Sequence, residues 1–186
     1  MLPTPYGVWV MDPIMCKSSN FKAEYEVAEA IYCQMLKRME GNHNLGQPNI
    51  ICGLHNLGLI LIVYGKLEES ERAFLRILEE IGGSLSPEDD MILLSQTLNN
   101  LALAKAFQGK YQEAELLLRR ALHGQEQYLD DWHRDLLLLR NNLAMTLRRQ
   151  NKAAEAQDLQ ERVVETCSIK YSYITEYQRN LEWIRS

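Results

Sequence analysis

Apolar residues recur along most of this chain at three- and four-residue intervals, the spacing of helices with one buried face. Leu98, Leu101 and Ala102 share such a face with Lys105, and Leu143, Ala144 and Leu147 restate it further on. The pattern predicts helices over about Phe21–Met39, Asn49–Tyr64, Leu67–Ile81, 88–107, 111–129, 133–150, 153–168 and Ile174–Ile184. Almost no strand signal remains, so the expected class is all-α.

Breakers and caps fall between these stretches. Gly41 to Pro48 holds Gly, Asn and Pro, which interrupt helices. Gly65-Lys66 reads as a tight turn, and Gly82-Gly83 as a left-handed C-terminal cap. Ser86-Pro87-Glu88-Asp89 has an N-cap residue, a proline suited to the first turn, and acids that complement the helix dipole.

The helices come in copies. Leu98-Asn99-Asn100-Leu101-Ala102, Gly109-Lys110-Tyr111-Gln112-Glu113-Ala114-Glu115 and Leu122 recur as Arg140-Asn141-Asn142-Leu143-Ala144, Asn151-Lys152-Ala153-Ala154-Glu155-Ala156-Gln157 and Val164. Tyr25, Leu67, Tyr111 and Ala153 hold one repeat position at spacings of 42, 44 and 42. Ala28, Ser70, Ala114 and Ala156 hold the next small position, and Leu36, Leu78, Leu122 and Val164 close each second helix. Asn56, Asn100 and Asn142 mark the first helices. A repeat of this length is a stack of helix pairs, which offers a surface rather than a pocket. Gly58 and Ala102 are small where paired helices approach, as close packing requires. The units are a half unit at 21–39 and full units at 49–81, 88–129 and 133–168. Residues 1–20 read as a capping arm or helix, and 169–186 as a capping helix. Both end segments read as improvised caps, so a self-contained protein is expected.

Composition changes this picture little. The chain has 186 residues, 46% of them hydrophobic and 24% charged, as expected of one globular domain. The net charge of −5 argues against nucleic acid as a partner. No apolar run reaches the length of about 18 residues that a membrane helix needs. The first residues lack the pattern of a secretory signal. Cys16, Cys33, Cys52 and Cys167 show no CxxC spacing and read as reduced, packed thiols of a cytoplasmic protein.

The sequence resembles tetratricopeptide repeats in the long form found in kinesin light chains. The residues that carry the resemblance are Leu98-Asn99-Asn100-Leu101-Ala102, Gly109 to Glu115 and Arg119-Arg120-Ala121-Leu122, with a strong match over 94–165, a fair one over 50–81 and a partial one over 21–39. Three departures stand out. Lys105 replaces an aromatic or aliphatic packing residue, and Asn151 replaces a turn glycine. Leu59, Leu103 and Met145 hold the places where chaperone-binding relatives carry the asparagine of a carboxylate clamp.

The resemblance implies a right-handed superhelical α-solenoid of about three and a half repeats with atypical end caps. Its concave groove, lined by first helices, would bind a protein or peptide segment. By that geometry the wall includes Cys52, His55, Asn56, Leu59, Ile62 and Val63, then Gln96, Asn99, Asn100, Leu103, Ala106 and Phe107. Leu138, Asn141, Asn142, Met145, Arg148 and Arg149 complete it. The expected peptide-binding set is His55, Asn56, Gln96, Asn99, Asn100, Leu103, Phe107, Asn141, Asn142, Met145, Arg148 and Arg149. Asparagine suits the task because its amide both donates and accepts. The same amides could equally cap or bridge neighbouring helices.

Charge and aromatics add a few expectations. Arg134, Arg140, Arg148, Arg149 and Lys152 face only Asp135 within 132–152, whereas 66–90 is acidic. Arg148 and Arg149 could attract an acidic segment of a partner, or the charges could be solvated faces. Tyr111 reads as core, Phe107 as groove and Trp132 as a packing staple. Trp9 and Trp183 lie in the end segments, where uncovered apolar surface would favour self-association.

Nothing in the sequence points to chemistry. His43, His55, His123 and His133 form no HxxxH, HExxH or His/Cys metal spacing, and His133 near Asp135 reads as a cap or surface pair. No nucleophile elbow, phosphate loop or dinucleotide fingerprint is present. The expectation is therefore a non-enzymatic interaction module with an adaptor role, no cofactor, no metal and no catalytic residue. The alternatives are a homodimer formed through the end helices, and a groove adapted to a small molecule or substrate.

Overall fold

One left-handed residue makes each of the three tight turns that fold a helix back on its partner. They are Gly65 at φ 74, Gly109 at φ 78 and Asn151 at φ 63. In each turn the residue that follows closes a six-residue ring: Lys66 N donates to Leu61 O, Lys110 N to Lys105 O, and Lys152 N to Leu147 O, all near 2.9–3.0 Å. This is the Schellman closure, which satisfies the last carbonyls of a helix. Asparagine tolerates the left-handed region better than any other residue with a side chain, so Asn151 serves where glycine stands in the other two turns.

The structure is a computed structural model and describes residues 30, 34, 37, 47–81, 87–170, 180 and 182–185. The expected N-terminal arm, nearly all of the half unit, the Gly82-Gly83 cap and the Ser86 N-cap lie outside the described residues. The described helices are α1 Gln47–Val63, α2 Leu67–Glu80, α3 Pro87–Phe107, α4 Tyr111–Gln125, α5 Arg134–Arg149 and α6 Ala153–Lys170. Residues 182–185 are helical as well. No strand occurs among the described residues. The fold is an α-solenoid of antiparallel helix pairs, α1/α2, α3/α4 and α5/α6, with each second helix also packed on the first helix of the next pair.

Two helix ends differ from the sequence expectation. α1 begins at Gln47 rather than at Asn49, so Pro48 lies in the first turn, where the amide hydrogen it lacks would have had no partner. α4 stops at Gln125 rather than running to Leu129. Tyr128 N and Leu129 N both donate to Gln125 O, and the chain then turns. Arg140 braces that turn, reaching Glu126 Oε1 at 3.1 Å and Asp131 Oδ1 at 2.6 Å. His133 then caps α5, its Nδ1 accepting from Asp135 N at 3.3 Å.

The core runs along the stack without a break because α3 feeds both sides. Leu101 packs with Leu54, Leu57, Leu61, Phe74 and Ile77, while Leu98 and Ala102 pack with Leu118, Leu139, Leu143 and Leu147. Small residues sit where backbones approach. A Cβ on Gly58 would lie 2.6 Å from Phe74 Cζ, inside contact distance, and Ser70 Oγ bonds Gly58 O at 2.8 Å. Ala102 and Ala144, the corresponding residues of the next units, are fully buried.

Candidate peptide-binding face

A row of side-chain amides joins the first helices. Asn100 Nδ2 lies 2.7 Å from His55 Nε2, Asn142 Nδ2 donates to Asn99 Oδ1 at 2.8 Å, and Asn180 Nδ2 donates to Asn141 Oδ1 at 2.7 Å. His55, Asn99 and Asn141 hold one repeat position; Asn100 and Asn142 hold the next. Each rung thus has the following helix donating to the preceding one. Asn99 Nδ2 also donates to Asn100 Oδ1 at 3.3 Å, so His55, Asn100, Asn99 and Asn142 are continuous. Asn99, Asn100 and Asn141 are buried, and His55 and Asn142 half-buried. Buried amides with this many partners rigidify a fold. Burial also holds the His55 imidazole below its ordinary pKa, so it is neutral and can accept at Nε2.

Beside the row lies a strip of partly accessible residues in matching register. Leu59, Leu103 and Met145 are half-buried at one repeat position, and Ile62, Ala106 and Arg148 at another. Val63 is half-buried, Phe107 is 45% exposed and Arg149 is exposed at a third. Gln96 and Leu138 are half-buried one turn earlier. The surface is apolar along α1 and α3 and turns cationic at the end of α5. There the Arg148 and Arg149 guanidinium groups lie 5.4 and 5.3 Å from the Trp183 ring, a cation–π arrangement. Arg148 Nε also donates to Ile184 O at 3.0 Å.

A second repeated device locks the units at the turns. Gln108 Nε2 donates to Glu71 Oε2 at 3.2 Å, and Gln150 Nε2 donates to Glu115 Oε2 at 2.8 Å, in the same register. Lys105 adds 2.6 and 2.8 Å ion pairs to Glu71 and Glu113, and Lys152 and Arg119 add 2.7 and 2.9 Å pairs to Glu115. Burial alone would raise both carboxyl pKa values. It is outweighed by Lys105 and Gln108 at Glu71 and by Lys152, Gln150 and Arg119 at Glu115, so both stay below the ordinary carboxylate range. Lys105 is therefore the charged bridge of three helices at a place where the next unit packs Leu147.

Residues 93–168 match the tetratricopeptide repeat family model. Solved structures with the same fold include repeat proteins of the kinesin-light-chain type. BtubC (BKLC) from P. vanneervenii has 14% identity and a TM-score of 0.75, covering 92% of this chain and 69% of that one. A Podosopora anserina protein described as a kinesin light chain with nearly identical TPR-like repeats has 18% identity. Its two crystal structures give TM-scores of 0.73 and 0.71, covering 92% of this chain and 82% of that one. No curated protein matches the chain. The tetratricopeptide fold is generally a protein–protein interaction module, and proteins of the family are typically non-enzymatic scaffolds.

The repeats place the sequence-derived residues in two groups. Gln96, Leu103, Phe107, Met145 and Arg149 are accessible, whereas Asn99, Asn100 and Asn141 lie beneath them and bond helix to helix. His55 and Asn142 belong to the row but are partly accessible; Asn56 is half-buried, and Arg148 carries the C-terminal segment. Trp132, read as a staple, is 38% exposed. The side chains of Cys52 and Cys167 lie outside the described residues. Sequence reading missed Asn180 as a rung, although Asn180-Leu181 echoes Asn56-Leu57, Asn100-Leu101 and Asn142-Leu143. It also missed Glu71 and Glu115 as locks. Among the described residues no group of His, Cys, Asp and Glu could hold a metal, and no helix is long and apolar enough to cross a membrane.

Proposed function

We propose that the face formed by α1, α3 and α5 binds a segment of a protein partner, and that the protein acts as an adaptor. The observation that carries this is the strip Leu59, Leu103 and Met145: half-buried apolar side chains at one repeat position, with Phe107 exposed beside them. Three such residues at a fixed register fit a ligand that runs along the stack and buries apolar side chains. The amide row beneath keeps the helices in register, so little ordering entropy is lost on docking. Gln96 and Asn142 offer amide groups at the edge of the strip. Arg149 gives its far end a positive charge that suits an acidic residue of the partner. Such a carboxylate would meet a guanidinium already oriented by Trp183.

The test is a display selection of random peptides on the immobilised full chain, followed by fluorescence anisotropy of an enriched peptide. Leu103→Glu with Met145→Glu is expected to weaken binding at least about tenfold, a loss of about 1.4 kcal/mol. Leu116→Glu, at a position 70% exposed on α4, is expected to leave affinity unchanged. Affinity that follows Leu116 instead would place docking on the second helices and refute the proposal.

A further inference from the structure

Among the described residues the row of amides ends on His55, its one titratable member. Asn99 and Asn141 accept through amide oxygens, whereas His55, at the same repeat position, accepts through an imidazole nitrogen. A protonated imidazole has two donors and no acceptor. Asn100 Nδ2, 2.7 Å away and fully buried, would then face another donor.

We infer that the row is a reversible relay: a proton taken up at His55 Nε2 turns over the amides of Asn100, Asn99 and Asn142 together, carrying the state of α1 to α5. Turning Asn100 over presents Oδ1 to His55 at no cost in shape, since amide oxygen and nitrogen are nearly isosteric. Its Nδ2 then faces Asn99 Nδ2, at present the donor of the 3.3 Å bond, so Asn99 must turn as well. That in turn places Asn99 Nδ2 against Asn142 Nδ2, across the present 2.8 Å bond. Asn142 is half-buried, so after turning over it can donate to solvent, and the row ends there. The Asn180–Asn141 rung shares no atom with the row and is an internal reference.

Among the described residues, the surroundings leave the proton on His55 little competition. α1 carries no other ionisable side chain from residue 53 to residue 63. α2 presents the Phe74 ring, edge to face at 6.0 Å, and α3 presents Asn100. Glu71 and Lys105, the charged residues that bridge α2 and α3, close on each other at 2.6 Å. Burial lowers the His55 affinity for protons, so the turnover falls on the acid side of an ordinary histidine.

The experiment is a pH titration of the full chain from about pH 7.5 to about pH 5, the range of a histidine switch, following side-chain amide resonances by ¹⁵N NMR. The resonances of Asn100, Asn99 and Asn142 are expected to move with the midpoint of His55, and that of Asn180 to stay still. His55→Asn, which installs the residue found at the same place in the next two units, is expected to abolish the response. Should it fold poorly, His55→Gln and the wild-type titration give the same reading. A stationary Asn142 while Asn100 moves overturns the relay. So does the absence of any Asn100 response before acid unfolding, or an unchanged response in the His55 variants.

Discussion

Asn142 Nδ2 donates to Asn99 Oδ1 at 2.8 Å across 43 residues of sequence. The bond ties α5 to α3 directly, although both also pack on α4, the second helix between them. Because the same rung recurs from Asn100 to His55 and from Asn180 to Asn141, neighbouring units are joined by polar as well as apolar contacts. The apolar surfaces supply most of the stability. The rungs fix the angle at which one unit follows the next, and with it the spacing of Leu59, Leu103 and Met145.

Asn100→Ala should therefore act on stability. It removes the donor to His55 and the acceptor for Asn99, leaving buried polar groups unpaired, at a cost of about 1–3 kcal/mol. Urea unfolding should show a lower midpoint at unchanged slope. An unchanged midpoint would mean that the rung contributes nothing.

Two pH edges follow from the displaced titrations. His55 takes up its proton less readily when folded, so the unfolded chain binds the proton first. Stability should be full above about pH 6.5, the ordinary histidine value, and fall as pH drops from there towards the lowered folded value. Glu71 and Glu115 have depressed folded values, so their contribution is present above the ordinary carboxylate range and is lost as pH falls through the folded values. Thermal melting points across pH should show both edges in the wild type, and only the lower one in His55→Asn.

Glu115→Ala should destabilise the junction of the last two units. It removes the buried carboxylate that Lys152, Arg119 and Gln150 share, which costs about 1–3 kcal/mol, although Arg119 keeps Glu155 and Gln150 keeps Tyr111 O. Hydrogen exchange should accelerate in α5 and α6 more than in α1 and α2. A uniform change along the stack would show that Glu115 does not act at the junction.

Gly58→Leu should be among the most damaging single changes. The Phe74 ring occupies the space a Cβ would enter, 2.6 Å away, and Phe74 is fully buried. Overpacking of this kind costs about 1–3 kcal/mol or more. Gly58→Leu combined with Phe74→Ala should recover part of the loss in a thermal melt, which no general loss of helix propensity would do.

The stack of helix pairs was legible because a repeat fixes register: the turns at Gly65, Gly109 and Asn151 and the small residues Gly58, Ala102 and Ala144 recur at set spacings. Which amides face outward was not legible. Asn99 and Asn100 are adjacent in sequence on a helix, and only the rotation between successive units decides that both are covered while Leu103, one turn on, is not. Lys105 looked like a departure from a packing rule because its partners Glu71 and Glu113 lie on the neighbouring helices α2 and α4. Asn180 repeats the Asn-Leu pair at a spacing of 38 instead of 42, which hid it from a period search.

The most direct test of peptide docking on the first-helix face is methyl NMR of the full chain with an enriched peptide. Binding is predicted to shift the methyl resonances of Leu59, Leu103 and Met145 and to leave those of Leu75 and Leu116, exposed on the second helices, in place. Shifts confined to Leu75 and Leu116 would contradict the account.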